Sequence, residues 1–326
     1  MTRKLIVVFG ATGNQGGSVV SSLLQNKAYV VRAVTRDPAS DKSKALAAKG
    51  VEVVAGDLND PKSLIKAFEG AHAAYGVTDF FAELSTLGAN GAMDLEIQQG
   101  KNLANAAAAT PTLEHYVWSS LPYIKNTTKG TASCPHFDGK AQVDEYIMSH
   151  LPDLAKKTTF FWPGYYATNL ASTTSLVRQE LGKYAWVLPC SPNASAPMAG
   201  LTTINVGVFV SAILAKPEIT LPSKYVLGSV ETLTMKRTLE LLEEATGVEM
   251  VFVQKDTEDF VAWFPAGPVF GKELALNMNF FELGPGVWSK SGVKVLTKED
   301  LGIKDSQLVS TKQAFEMIDW SPVIKA

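Results

Sequence analysis

Short apolar runs alternate with helical patterns along the first half of the chain. The apolar runs lie at residues 5–9, 29–35, 51–55, 71–77, 115–119 and 158–162. They lack apolar–polar alternation, which is typical of strands covered on both faces of a parallel sheet. Helical patterns lie between them at residues 17–25, 43–49, 61–68, 97–109 and 140–150, with Asp60 and Pro61 as an N-cap and first-turn pair. This order predicts an α/β fold, a doubly wound parallel sheet with helices on both faces.

The alternation breaks down after about residue 169. Residues 190–203 are rich in proline, serine, threonine and asparagine, which predicts a long loop, and helical patterns follow at 205–215, 234–246 and 272–281. We therefore predict a first domain of residues 1–165 and a smaller, interleaved α+β region of residues 166–326. The smaller region should pack over the carboxyl edge of the sheet, where open α/β folds bind ligands.

Composition and charge restrict the possible functions. The 326 residues include 46% hydrophobic and 19% charged residues, enough for a large buried core. Thirty Lys and Arg residues against 32 Asp and Glu residues give a net charge of −2, so we expect no direct nucleic-acid ligand. The two cysteines, Cys134 and Cys190, cannot form a disulfide framework, and no cluster has metal-ligand spacing. We therefore expect no metal site.

No segment of the sequence resembles a signal peptide or a membrane span. The first apolar run is only five residues long before Gly10, too short for a secretory signal. The longest uncharged stretch, residues 184–215, is interrupted by Pro189, Pro192 and Pro197. These patterns predict a soluble, reduced, cytoplasmic protein without a membrane partner.

A glycine-rich loop follows the first apolar run directly. The loop consists of Gly10, Ala11, Thr12, Gly13, Asn14, Gln15 and Gly16. The first glycine of such a loop permits a tight turn, the second permits close approach of a pyrophosphate, and the third permits the following helix to pack on the strand. The helix then offers free N–H groups and a positive dipole end to the anion. The position favours a Rossmann dinucleotide site over an ordinary tight turn, although the spacing is GxxGxxG rather than GxGxxG.

The end of the second apolar run indicates which dinucleotide binds. An NAD site usually has an acidic residue here for the ribose hydroxyl, whereas an NADP site has arginine. The sequence has Thr35 near the expected acidic position, followed by Arg36, which can bind a 2′-phosphate. Asp37 either repels the phosphate or turns the chain ahead of Pro38. We predict NADP(H), so residues 1–165 would be the NADP-binding domain.

The third apolar run ends with a further candidate for cofactor binding. Asp57 can accept a hydrogen bond from an adenine amino group while Leu58 packs on the ring. The alternative is a solvated turn before the next helix, and the sequence does not decide between the two.

Three later segments resemble a known protein family. Residues 115–125 (HYVWSSLPYIK), 136–146 (HFDGKAQVDEY) and 162–170 (WPGYYATNL), together with the glycine loop and VTRDP, resemble the NmrA-like family of the short-chain dehydrogenase/reductase superfamily. The resemblance covers residues 3 to about 170, continues more loosely to Phe281, and includes NmrA-like redox-sensor proteins. It implies cofactor contacts from the loop and from the following residues: Thr35, Arg36, Asp57, Leu58, Thr78, Asp79, Phe80, Lys140, Pro163, Tyr165 and Tyr166.

The proton donor is where the chain departs from its superfamily. The superfamily has a Tyr-x-x-x-Lys pair, and here the spacing ends at Lys140 but begins at His136. Residues four apart share a helix face, and a histidine can donate a proton near neutral pH. The alternative is a helix-terminal histidine whose partners are backbone groups. Tyr123 and Tyr165 are competing donors, and we favour a loop tyrosine over His136 and a plain buried thiol for Cys134.

Two functions remain open. Aromatic residues are frequent near the expected cleft: Phe80, Phe81, Tyr123, Trp162, Tyr165, Tyr166, Trp263, Phe264 and Phe270. They favour an NADPH-dependent reductase of a hydrophobic carbonyl, quinone or imine compound. The missing tyrosine at position 136 favours a non-catalytic NADP(H)-sensing regulator that binds a partner protein. The sequence leaves the oligomeric state open.

Overall fold

Strands occur in both halves of the chain. The computed structural model describes residues 3–172, 175–179, 183–290 and 292–324. Its strands are β1 (Lys4–Val8), β2 (Tyr29–Thr35), β3 (Glu52–Ala55), β4 (Ala73–Gly76), β5 (His115–Ser119), β6 (Thr158–Pro163), β7 (Tyr165–Tyr166), β8 (Leu176–Arg178), β9 (Tyr184–Leu188), β10 (Ser195–Gly200), β11 (Lys224–Gly228), β12 (Glu231–Thr234), β13 (Met250–Gln254) and β14 (Val295–Leu296).

Helices connect these strands. They are α1 (Asn14–Leu23), α2 (Asp41–Ala47), α3 (Pro61–Phe68), α4 (Leu84–Ala108), α5 (Ile124–Thr127), α6 (Pro135–His150), α7 (Pro152–Ala155), α8 (Asn169–Ser172), α9 (Thr202–Ala215), α10 (Pro217–Thr220), α11 (Met235–Thr246), α12 (Thr257–Trp263), α13 (Pro268–Phe281) and α14 (Thr311–Met317). Short 3₁₀ helices lie at Phe80–Ala82, Pro285–Val287 and Asp305–Gln307. No helix within the described ranges is long and apolar enough to cross a membrane.

The main sheet has eight parallel strands among the described residues. Their order is β14–β11–β6–β5–β4–β1–β2–β3. The chain adds strands on one side of β1 as far as β3 and then continues on the other side with β4. This reversal is the topological switch point at which open α/β sheets bind ligands beyond the carboxyl ends of the strands. The predicted fold class is confirmed.

Local sequence signals explain where several helices begin. The Asp60 carboxylate accepts a hydrogen bond from the Lys62 N–H at 3.0 Å, so the predicted cap of α3 is confirmed. Helix α6 begins at Pro135, earlier than predicted, because proline suits the first turn of a helix. Helix α4 also begins earlier, at Leu84, and is kinked at Gly88, whose φ is 67°. His136 and Lys140 therefore lie on one helix, as expected.

The prediction of one long loop over residues 190–203 is wrong. β10 lies within it and is the central strand of a sheet with the order β12–β10–β7, and a second small sheet has the order β13–β9–β8. The sequence of β10, SAPMAG, consists of small residues, a proline and a methionine, so it lacks the β-branched residues that indicate strands. Its backbone pairing comes from neighbours that are distant along the chain.

The second half of the chain also extends the main sheet. β11 pairs with β6 and β14 pairs with β11, both in parallel. Every residue of β5 and β6 is buried, because strands on both sides and helices on both faces cover them. The sheet therefore draws strands from both predicted regions, and the boundary near residue 165 stays a prediction.

One prediction tests the packing of the second half against the first. A Cβ atom at Gly207 of α9 would lie 2.2 Å from the Ser18 carbonyl oxygen of α1. We expect Gly207→Ala to lower the free energy of unfolding by about 1–3 kcal/mol, because overpacking forces the backbones apart. Urea unfolding measures the change. Gly286→Ala is the control, since its Cβ would meet no atom within 4 Å. Equal stability of the two variants would contradict this packing.

Candidate functional site

A cavity of about 980 Å³ lies beyond the carboxyl ends of the central strands. The predicted site residues that line it are Gly10, Thr12, Gly13, Asn14, Gln15, Gly16, Thr35, Arg36, Asp57, Leu58, Thr78, Asp79, Phe80, His136, Lys140, Pro163, Tyr165 and Tyr166. Ala11 is buried beneath the loop, and Tyr123 caps α5 outside the lining. The fold thus gathers residues from positions 10 to 166 at one edge of the sheet.

The glycine loop has the geometry of an anion cradle. Gly10 has a φ of 61°, which only glycine adopts readily. A Cβ atom at Gly16 would lie 2.3 Å from the Gly10 carbonyl oxygen, so α1 can start this close to β1 only with glycine here. Helix α1 has neither a side-chain cap at Gly13 nor an acidic residue in its first turn. Its N-terminal N–H groups can therefore receive a pyrophosphate.

A hydrogen-bond network beneath the loop involves Gln15. The Gln15 amide donates to the Tyr166 hydroxyl at 2.6 Å, while Ser119 donates to the Gln15 Oε1 atom at 2.8 Å. The Tyr75 hydroxyl also donates to Oε1. Burial raises the pKa of both Tyr75 and Tyr166, so both phenols stay protonated. The network joins the start of α1 to the ends of β4, β5 and β7, and no sequence motif indicates these long-range partners.

Arg36 and Asp37 have separate roles at the end of β2. The Asp37 carboxylate accepts the Ala39 N–H at 2.9 Å, and the Asp37 N–H donates to Thr35 Oγ1 at 3.3 Å. Asp37 therefore makes the turn before Pro38, which was the simpler of its two expected roles. Arg36 is exposed at the cavity and has no hydrogen-bond or ionic partner among the described side chains. Its guanidinium is available for a phosphate.

Asp57 takes part in a turn and also lines the cavity. Its Oδ1 atom accepts the Asn59 N–H at 2.9 Å, and its own N–H donates to Ser63 Oγ at 3.0 Å. The side chain is exposed and Leu58 beside it is half-buried. Both expected uses of Asp57 are therefore compatible with its position.

Lys140 is held by a buried carboxylate that the sequence did not reveal. Its Nζ atom lies 2.8 Å from Glu96 Oε1, 2.9 Å from Thr78 Oγ1 and 3.0 Å from the Thr78 carbonyl oxygen. The Thr78 hydroxyl donates to Glu96 at 2.8 Å. Glu96 lies on α4 with 1% of its side chain exposed, and a single acidic residue in a helix usually indicates a solvated face. The three protons of Lys140 are thus directed at protein atoms, and Glu96 balances its charge.

His136 is also held by a buried carboxylate. Glu273 on α13 has 1% of its side chain exposed, and its Oε1 atom lies 2.6 Å from His136 Nδ1 and 3.0 Å from the His136 main-chain nitrogen. Burial alone would raise the pKa of Glu273, but the hydrogen bonds and charge of His136 hold it below its ordinary value. Glu273 is 137 residues from His136 along the chain, so no local spacing could reveal this pair.

Cys134 completes a cluster with these two residues. Its Sγ atom lies 3.2 Å from His136 Nδ1 and 3.5 Å from Glu273 Oε1. Burial, and then the Glu273 charge, raise the thiol pKa well above its ordinary value, which confirms a buried thiol rather than a thiolate. One donor atom from each residue lies within 4.8 Å of the others, and hydrogen bonds join the three side chains. The spacing along the sequence did not reveal this cluster, because distant elements assemble it.

The two candidate tyrosines have different positions. Tyr165 is buried on β7 and lines the cavity, with its ring 5.6 Å from that of Phe281. Burial raises its pKa, so the phenol is protonated. Tyr123 is half-buried outside the lining, where burial and then the charges of Asp138 and Glu145 raise its pKa. Of the two, only Tyr165 is placed at the cavity.

Aromatic side chains also line the cavity. Of the aromatic set expected here, Phe80, Phe81, Tyr165, Tyr166, Phe264 and Phe270 line the cavity. Trp162 is buried in the core, and Trp263 and Tyr123 are outside the lining. Phe281 and Trp288, which were not in that set, also line it. One part of the cavity is therefore polar and suited to a dinucleotide, and the other part is apolar.

Comparisons with known sequences agree with this geometry. The sequence model of the NmrA-like family matches residues 2–287. The NmrA-like oxidoreductase notA of Aspergillus sp. (strain MF297-2) is 39% identical over 144 residues, covering 44% of this chain and 42% of that protein. An NmrA-like family protein of Dictyostelium discoideum is 26% identical over 292 residues, covering 85% and 87%. The chain thus spans less than half the length of the first curated oxidoreductase relatives that it matches.

Solved structures share the fold. Nmra, a negative transcriptional regulator, has been solved with NADP and superposes with a TM-score of 0.73 at 22% identity, covering 98% of this chain and 96% of Nmra. Its complex with NAD superposes with a TM-score of 0.74. At this identity the likeness establishes the fold alone.

The buried ion pair of Lys140 makes a testable prediction. We expect Lys140→Met to lower the free energy of unfolding by about 3–5 kcal/mol, because Glu96 is left as an uncompensated buried charge. Adding Glu96→Gln should restore most of the loss. Urea unfolding of the single and double variants measures both effects. Lys156→Met, which breaks an exposed pair with Asp153, is the control and should leave the midpoint unchanged. If Lys140→Met were as stable as the wild type, the ion pair of Lys140 and Glu96 would contribute nothing to the free energy of unfolding.

Proposed function

The chain belongs to the NmrA-like family, and on this premise we propose that it is an NADP(H)-dependent reductase of an apolar carbonyl, quinone or imine compound. The observation that carries the proposal is the continuity of the cavity. Its polar part includes the glycine loop and Arg36, and its apolar part includes Phe264 and Phe270. A cofactor and an apolar substrate can therefore meet in one space, which a protein that only senses a dinucleotide does not need.

The residues present fit a dinucleotide. The uncapped start of α1 would receive the pyrophosphate, and the close approach of Gly16 to the Gly10 carbonyl lets that helix begin directly after β1. Arg36 binds the 2′-phosphate, while Asp57 and Leu58 contact the adenine. Once bound, the nicotinamide supplies a hydride to an electron-poor carbon of the substrate. The NADP complex of Nmra supports this cofactor by fold likeness.

The substrate class follows from the rest of the lining. Flat, rigid side chains such as Phe80 and Phe270 favour a planar apolar molecule over a sugar or a charged metabolite. The Aspergillus relatives described as oxidoreductases support the reaction class. Lys140 and His136 face the same cavity and would adjoin the reacting end of the substrate.

Turnover tests the proposal directly. We expect NADPH oxidation in the presence of at least one member of a panel of aromatic ketones, quinones and cyclic imines. Gly16→Ala should weaken NADPH binding at least tenfold because its Cβ displaces the Gly10 carbonyl, whereas the matched control Gly17→Ala, whose Cβ would lie 3.4 Å from the Ala11 oxygen, should bind normally. Tight NADPH binding without turnover of any compound would instead favour the regulator that binds a partner protein.

The choice of cofactor makes a separate prediction. Arg36→Ala should weaken NADPH binding about ten- to a hundredfold, because it removes a charge-assisted contact to phosphate, and should leave NADH binding within about threefold. Fluorescence titration with both cofactors measures the ratio. Arg178→Ala, at an exposed position on β8 outside the cavity lining, is the control. An equal loss for both cofactors would show that Arg36 does not recognise the 2′-phosphate.

A further inference from the structure

His136 lines the cavity at the position where the superfamily has a tyrosine, and Glu273 is buried beside it. We propose that His136 is the catalytic proton donor and that Glu273 is its positioning residue. The pair selects a neutral carbonyl compound as the substrate class. This inference rests on the proposed reductase function. It assigns a role to Glu273, which no sequence motif indicated.

Glu273 contacts His136 at two atoms, one in the imidazole ring and one in the main chain. Its Oε1 atom accepts both the Nδ1 proton at 2.6 Å and the main-chain N–H of His136 at 3.0 Å. An ionised carboxylate only accepts hydrogen bonds, so Nδ1 is the nitrogen that carries a proton toward it. The main-chain contact is at the first turn of α6, where the helix dipole further stabilises a carboxylate.

The other ring nitrogen is directed to the cavity. His136 lines the cavity and 13% of its side chain is exposed, although Glu273 and Cys134 are fully buried beside it. Within the described chain, Nε2 has no hydrogen-bond partner. The atom is also not fully buried. A histidine kept only for structure would need no exposed nitrogen at the site, whereas a proton donor requires one.

The surroundings of the ring limit the access of water. The rings of Phe80, Phe81 and Phe137 lie 5.8, 5.2 and 4.7 Å from the imidazole, measured between centroids. Lys140, one helical turn away, is paired with Glu96 and therefore places little unbalanced charge beside the ring. Nε2 is thus a polar group within an apolar wall. It lies one helical turn from Lys140, whose counterpart in the superfamily contacts the cofactor.

The proton and electron balance defines the substrate class. When a carbonyl carbon accepts the hydride, a C–H bond forms and the π electron pair moves to the oxygen. The Nε2–H bond of the doubly protonated, cationic imidazolium breaks as the O–H bond forms, which leaves a neutral imidazole whose Nδ1–H still donates its hydrogen bond to Glu273. Water entering the open cleft returns the proton to Nε2. A cationic acceptor needs only the hydride, since its product is neutral, so the pair is required for a neutral carbonyl and not for a cation.

Two hydride acceptors, one neutral and one cationic, distinguish proton donation from hydride transfer. The test compares NADPH-dependent reduction of an aromatic ketone and of a triarylmethyl dye cation by the wild type, His136→Phe and Glu273→Gln. For the ketone we expect kcat to fall about 10²–10⁴-fold in His136→Phe and at least tenfold in Glu273→Gln. Reduction of the cation and the Kd for NADPH should stay within about threefold. His150→Phe, at the far end of α6, is the control.

The protein without cofactor gives a second readout. In ¹⁵N-labelled protein, NMR should show a strongly deshielded proton on His136 Nδ1 that disappears in His136→Phe and moves upfield in Glu273→Gln. A purely structural contact of Glu273 with the main-chain N–H would leave the imidazole proton unchanged between wild type and Glu273→Gln.

Several outcomes overturn the inference. Equal losses with the ketone and the cation would show that His136 shapes the site without donating a proton. Activity that chelation removes and Zn²⁺ restores would show that the Cys134, His136 and Glu273 cluster holds a metal instead. Reduction of the cation alone by the wild type would leave the reductase function standing and refute the pair. Reduction of neither acceptor, and of no compound in the panel of ketones, quinones and imines, would refute the proposed function and the pair with it.

Discussion

The close contact of Gly16 with the Gly10 carbonyl is the constraint on which the site depends. It lets α1 begin directly beneath the end of β1, with its first N–H groups open to the cavity. The strand order also reverses at β1. The loops that follow the strands on its two sides therefore run in opposite directions and leave a crevice beyond the carboxyl end of β1. Gln15, held from β4, β5 and β7, then fixes that helix start against the sheet.

Helix α6 supplies two polar side chains of the site, Lys140 and His136, and each is matched by a carboxylate from another helix. Glu96 on α4 binds Lys140, and Glu273 on α13 binds His136. A buried carboxylate without a partner would cost several kcal/mol, so each pair also fixes how its helices pack. The polar chemistry of the cavity is therefore inseparable from the packing of the three helices around it.

Failures of sequence interpretation concentrate in the second half of the chain. There β10 has no β-branched residue, and its pairing comes from β7 and β12 rather than from its own propensity. The late strands β11 and β14 join the main sheet only because β6 offers an open edge. Amino-acid composition indicates the local secondary-structure preference of a segment, whereas these segments are strands because distant strands pair with them.

The sequence by itself determined the parallel sheet, the glycine loop with the helix that follows it, the turn at Asp37 and the shared helix of His136 and Lys140. Each of these depends on residues within about one helical or strand element, so local periodicity and turn chemistry suffice. Only the tertiary structure decided that Glu96 and Glu273 are buried beside Lys140 and His136 and that Tyr123 is outside the cavity. Charge compensation in a buried site acts through space, and the 137 residues between His136 and Glu273 leave no periodic signal along the chain.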